Sequence, residues 1–175
     1  MKTVTLCLGF DRNAEEAVRT YVDLFNEVFG NSKIHSTTFY SQKEIDILRS
    51  IPEMTDDLIF GSTEEVKTIR FSLNGQEILA FNGGAYFGKL NESTSLYVTC
   101  ETQEQIDRLW AKLSEGGEEQ PCGWVKDRFG LSWQIVPSIV WEVMEGPDQE
   151  KVDRMNAVLY TMQKLDFAAL KASIE

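Results

Sequence analysis

The sequence predicts an α+β fold in which one unit, a strand followed by a helix and several more strands, occurs twice. Three observations carry this reading. Two alternating strand-like runs, near the start and at Ser95, each lead into a segment with helix-capping residues and one apolar helical stripe. The dipeptide Asn74-Gly75 stands between two further strand-like runs. The order of these signals then begins again in the second half of the chain.

Taken in order, Val4-Thr5-Leu6-Cys7-Leu8 alternates as a strand does, and Asn13-Ala14-Glu15-Glu16 resembles a capping box with Asn as its first residue. In the helix that should follow, Ala14, Ala17, Val18, Tyr21, Phe25, Val28 and Phe29 recur at helical spacing, and Gly30 is placed to end it. Residues 33–40 and 66–73 read as strands. Asn74-Gly75 suits a type I′ turn, so 66–73 and 76–82 should pair as a hairpin. Residues 41–65 form a long connection rich in Ser, Thr, Asp and Glu, with a short helix at 43–50 before Pro52. Such a segment reads equally as a lid, a partner-binding flap or a surface insertion.

The second unit opens on a strand at residues 95–100. Thr102-Gln103-Glu104-Gln105 is a capping box, Ile106, Leu109, Trp110 and Leu113 form one stripe, and Gly116-Gly117 closes the helix. Two strands, 119–126 and 131–136, should flank the charged turn Lys126-Asp127-Arg128-Phe129-Gly130. Beyond Pro137, Pro147 suits the first turn of a helix. Its stripe of Val152, Met155, Leu159, Met162 and Leu165 must bury against the sheet or a second subunit, and Asp166 can cap a last helix to Ile174.

A chain of 175 residues is long enough to bury a core without staples, and the three cysteines, Cys7, Cys100 and Cys122, are odd in number and widely spaced. They read as reduced thiols rather than a disulfide frame or a zinc site. With no basic leader and no long apolar run, a cytoplasmic protein without membrane partners is expected. The net charge of −11, with no basic stripe, argues against nucleic-acid partners.

The segments Phe81-Asn82-Gly83-Gly84, Ser95-Leu96-Tyr97-Val98-Thr99-Cys100-Glu101-Thr102-Gln103, Ile106-Asp107-Arg108-Leu109-Trp110 and Cys122-Gly123-Trp124 through Trp133-Gln134-Ile135-Val136-Pro137 closely resemble the PhnB-like family. That family carries a demethylubiquinone methyltransferase label and sits in the vicinal oxygen chelate superfamily of glyoxalases and bleomycin resistance proteins. The resemblance implies paired βαβββ modules, about 1–84 and 93–137 within a glyoxalase-like domain 1–137, and a homodimer; the residues after Pro137 then form a C-terminal helical tail, 138–175. Two departures stand out: Ala85-Tyr86 where relatives commonly have Pro and a ring such as His, and the length of the 41–65 segment.

Metalloenzymes of the superfamily hold a divalent ion with one ligand from each of four strands, and the resemblance places those positions near Thr5, Ile78, Ser95 and Gln134. None is a usual metal ligand, so no cofactor and no metal are expected. Strand alternation groups Thr5 with Cys7, Ser95 with Tyr97 and Thr99, and Ser132 with Gln134 and Val136. With Asn82, Trp124 and Trp133, all of these but Ser132 and Val136 are the expected contacts to a small organic ligand, although Tyr97 and Trp133 read equally well as core filling. His35, the single histidine, lies in a polar strand with no nucleophile nearby and reads as exposed or structural. The methyltransferase label lacks its usual support, since no glycine-rich turn from strand to helix lies near the start. Three readings follow: a metal-independent small-molecule binder with catalysis unproven, a metal-dependent lyase or dioxygenase, and an antibiotic-sequestering resistance protein.

Overall fold

The computed structural model describes residues 4–55, 62–87 and 89–175. The chain divides into two compact units, Met1–Leu90 and Asn91–Glu175. In the first, β1 (Leu6–Phe10) leads to α1 (Ala14–Phe29), β2 (Lys33–Phe39), a short α2 (Gln42–Arg49), β3 (Val66–Leu73) and β4 (Gln76–Asn82), followed by a 3-10 turn at Gly84–Phe87. The second runs β5 (Ser95–Cys100), α3 (Gln103–Leu113), β6 (Glu118–Glu119), β7 (Trp124–Lys126) and β8 (Ser132–Pro137), then α4 (Ser138–Met144), α5 (Gln149–Leu159) and α6 (Phe167–Ser173).

The strand orders are β1-β4-β3-β2 and β5-β8-β7-β6. In each sheet the first strand of its unit pairs in parallel with the last, and the remaining pairs are antiparallel. The repeat expected from the caps is therefore a repeat of topology. The Asn74-Gly75 hairpin forms as the dipeptide requires: φ is 46° at Asn74 and 80° at Gly75, and Leu73 pairs with Gln76.

The helix ends agree in part with their signals. Gly30 adopts the left-handed conformation (φ 78°) and its N–H donates to the carbonyls of Phe25 and Asn26. Thr102 accepts from the Gln105 N–H, and the Gln105 side chain in return accepts from the Glu101 N–H rather than that of Thr102. At α1 the expected Asn13 cap does not form. Asn82, at the end of β4, supplies that acceptor: its Oδ1 accepts from the Ala14 N–H at 2.9 Å while its Nδ2 donates to the Val66 carbonyl at 2.8 Å. One buried amide thus satisfies the helix start and a strand carbonyl together.

The strand expected over 119–126 is broken in two. Cys122 and Gly123 take positive φ (62° and 83°), and their N–H groups donate to the carbonyls of Met162 and Gln163 instead of to a neighbouring strand. The tail also departs from expectation. Helix α4 starts directly after Pro137, and Pro147 precedes the Asp148 cap of α5 rather than entering the helix. Asp166 caps α6 by accepting from the Ala169 N–H. The apolar stripe is buried within this unit: Met155, Leu159, Leu165 and Leu170 join Val136 and Val140 in one cluster, with Met162 packed against it.

Replacing Asn82 by Ala strands a buried N–H and a buried C=O, and should lower stability by about 2–4 kcal/mol. Asn13→Ala, at a position whose side chain makes no cap bond, should cost less than about 0.5 kcal/mol. Urea unfolding of the two variants compares them, and equal losses would contradict this account of the α1 start.

Candidate functional site

Each sheet has one face against its helix. In the second unit Val98, Cys100, Val125, Trp133 and Ile135 are buried on the α3 side. Strand pairing sets Tyr97, Gln134 and Trp124 abreast on the opposite face. There Gln134 Nε2 donates to Ser95 Oγ at 2.8 Å, so two of the positions implied as metal-site positions satisfy one another. Tyr97 and Thr99 are exposed, and the Tyr97 ring lies 5.9 Å from that of Trp141. Trp124 is half-buried over a shallow depression bordered by Glu92, Glu118 and Gln120.

Trp133 is not on this face. It is fully buried, and its Nε1 donates to Asp127 Oδ2 at 2.8 Å, while Asp127 Oδ1 accepts from the Phe129 and Leu131 N–H groups. The charged turn is therefore pinned to the core by one buried carboxylate. Trp133 takes the helix side because its neighbour Gln134 takes the other. Asn82 likewise faces α1 and is committed to Ala14 and Val66, although it borders the cavity described below.

In the first unit Thr5 is half-buried and Cys7 exposed, on the face away from α1. Ile78 is 1% exposed on the α1 side, so it cannot present a group beside Thr5. His35 is exposed at an irregularity of the β2–β3 pairing. Among the described residues no three His, Cys, Asp or Glu side chains come close enough together to hold a metal ion. The hydroxyls of Thr5 and Ser95 and the amide of Gln134 offer no charged or imidazole donor. The donor set therefore does not fit the metal centre that the superfamily implies.

A cavity of about 450 Å³ opens in the first unit between α2, the ends of β3 and β4, and the 3-10 turn. Ile47 and Leu48 wall it from α2, Met54 from the following loop, and Phe81, Tyr86 and Phe87 from the β4 end. Phe87 packs edge-on to both Phe81 and Tyr86, at 5.0 and 5.1 Å between centroids. Gly83 permits this: a Cβ there would overlap the rings of Phe81 and Phe87. The polar lining comes chiefly from Tyr40, Glu44, Lys67 and Asn82. Tyr40 OH donates to the Asn82 carbonyl at 3.0 Å, and burial, then the charges of Glu44 and Glu65, push its phenol above the usual range. Glu44 completes a capping box with Ser41, and hydrogen bonds from the Lys67 ammonium and the Ser41 N–H hold its carboxyl below the usual range.

Of the expected contacts only Asn82 borders this cavity. The signals that could have found the others were the Ser41-to-Glu44 cap spacing, which forms α2, and the aromatic pair Tyr86-Phe87 beyond Gly83-Gly84. The turn after β1, Asp11-Arg12-Asn13, contains no glycine, and Gly83-Gly84 leads into the 3-10 turn. Neither forms the glycine-rich entry to a long helix that would cradle a nucleotide-like methyl donor.

Two βαβββ modules of equal strand order define a glyoxalase-like α+β protein. A sequence model of the family described as 3-demethylubiquinone-9 3-methyltransferase matches residues 2–136, and the chain belongs to that family. Among solved structures it is similar to a putative 3-demethylubiquinone-9 3-methyltransferase, PhnB protein, from Bacillus cereus. Identity is 29% and the TM-score 0.60, over 78% of this chain and 100% of that one. A Pseudomonas aeruginosa protein matches in fold at 19% identity and TM-score 0.56, over 78% of this chain and 98% of that one. No curated protein matches the chain.

Burial, followed by the charge of Glu101, pushes the Cys100 thiol up to about 12, and partial desolvation raises that of Cys7 as well. A raised value means a protonated, slow thiol at neutral pH. In native protein at pH 8, iodoacetamide should modify the exposed Cys7 slowly and leave Cys100 untouched until denaturant is added. Peptide mass mapping reads both, and rapid native labelling of Cys100 would contradict its burial.

Proposed function

We propose that this chain is a metal-independent binder of a small, largely apolar organic molecule, held in the first unit's cavity, and that it works as a homodimer. The observation that carries the reading is the cavity itself. About 450 Å³ falls within the range of small-molecule sites, roughly 300–1,000 Å³, and an apolar wall with a few polar groups at one end is their usual composition. The PhnB-named relative lends the family context. Neither the turn after β1 nor Gly83-Gly84 forms a donor site for methyl transfer, so no transfer step is assigned.

The remaining expected contacts enter as two secondary ligand surfaces, one in each unit: Thr5 and Cys7 in the first, and Ser95, Tyr97, Thr99, Trp124 and Gln134 in the second. Their hydroxyl, amide and aromatic groups suit hydrogen bonding and stacking rather than metal chemistry. The dimer is supported by exposed apolar side chains in the second unit, where Tyr97, Trp141 and Met144 are 43%, 54% and 48% exposed. A second copy would remove such surface from water.

Native mass spectrometry of freshly purified protein should show two chains and retained organic mass. Elemental analysis after dialysis should find far less than one zinc, iron, nickel or manganese per chain. A stoichiometric metal lost on Gln134→Ala would overturn the metal-independent reading. Gly83→Ala, which forces Phe81 and Phe87 apart, should weaken binding of any ligand held in the cavity by roughly tenfold or more, about 1.4 kcal/mol. Calorimetric titration measures this, and unchanged affinity would place the ligand elsewhere.

A further inference from the structure

The polar end of the cavity is organised around a cation, and the cation present is the chain's own. Lys67 reaches from β3 to donate its ammonium to Glu44 Oε1 on α2. The same Nζ stands 5.7 Å from the centroid of the Tyr40 ring. A carboxylate together with an aromatic face is a chemistry that receives ammonium groups.

Two further features make that place open to exchange. The Lys67 and Glu44 side chains are 38% and 40% exposed, so their pairing is screened by water and holds them together only weakly. The local charge also favours a cation. Glu65, whose backbone carbonyl accepts from the Tyr40 N–H, acts on the same phenol as Glu44 and buries its Oε2 with no hydrogen-bond partner among the described residues. Among the described residues, Glu44 and Glu65 thus both act on Tyr40, over whose ring Lys67 brings its ammonium.

We infer that the cavity takes a small hydrophobic primary amine, its ring among Leu48, Phe81 and Phe87 and its ammonium displacing that of Lys67 from Glu44 and Tyr40. This rests on the proposed cavity site and narrows its ligand class. Lys67 then acts as an internal competitor: it neutralises Glu44 when the cavity is empty and swings out toward water when an amine arrives. A carboxylate-bearing ligand would gain Lys67 but meet Glu44 on the cavity wall, and a neutral one would leave the existing pair undisturbed.

Three probes of one ring system separate these cases in calorimetric titrations: tryptamine, neutral 3-ethylindole and anionic indole-3-acetate. The wild-type protein should bind tryptamine about tenfold more tightly than either of the others. Lys67→Met should strengthen tryptamine by roughly threefold or more relative to 3-ethylindole. Glu44→Gln keeps an acceptor for the Ser41 N–H, so α2 stays capped, and should erase the preference for the amine; thermal melts of both variants verify folding. Equal binding of tryptamine and 3-ethylindole, tighter binding of indole-3-acetate, or weaker tryptamine binding by Lys67→Met overturns the amine inference while the cavity reading stands. Failure of all three probes to bind overturns both.

Discussion

A β-strand presents alternate residues to opposite faces, and each four-stranded sheet of this protein has one long helix to cover one of them. Everything that faces α1 or α3 must be apolar or fully hydrogen-bonded, and the other face is left to meet ligand, water or another surface. Leu8, Ile69, Phe71, Ile78 and Ala80 pay this constraint in the first unit, and Val98, Cys100, Trp133 and Ile135 in the second. Because the sorting has a period of two, a change of one residue exchanges core for site. That is why Gln134 meets Ser95 across the open face while adjacent Trp133 is sealed away.

Two buried polar side chains keep that sorting in register. Asn82 ties the last strand of the first sheet to the start of α1 and to β3. Asp127 ties the turn between β7 and β8 to the Trp133 indole. Each closes several backbone or side-chain hydrogen bonds that would otherwise be unsatisfied away from water, and each occurs once in its unit at a different point. The two modules share a topology and stabilise it by different local means.

The candidate ligand site arises where the repeat is broken. In the second unit a helix and a short strand connect β5 to β7, but in the first the long connection after β2 contributes α2, and α2 supplies one wall of the cavity. The opposite wall depends on Gly83, since only the absence of a Cβ lets Phe81 and Phe87 meet edge to face. The long connection after β2 is therefore also the part that most individualises the pocket, in keeping with the general placement of specificity on connections carried by a rigid sheet.

The sequence by itself determined the elements whose signals are local. The Asn74-Gly75 hairpin, the Gly30 end of α1, the Thr102 start of α3 and the Asp166 start of α6 all depend on residues within a few positions of one another, and local hydrogen bonding and φ preference decide such features. It also determined that Thr5, Ser95 and Gln134 are poor metal ligands, because donor chemistry belongs to the residue type. Tertiary structure alone decided what depends on partners distant in the chain. The cap of α1 came from Asn82 instead of Asn13. The 119–126 strand broke because the N–H groups of Cys122 and Gly123 found the carbonyls of Met162 and Gln163. The cavity itself joins Tyr40, Glu44, Lys67 and Phe87, which lie up to 47 residues apart, from Tyr40 to Phe87. Sequence periodicity assigns residues to faces, but which distant side chains share a cavity is settled only when the sheet, the turn and α2 pack together.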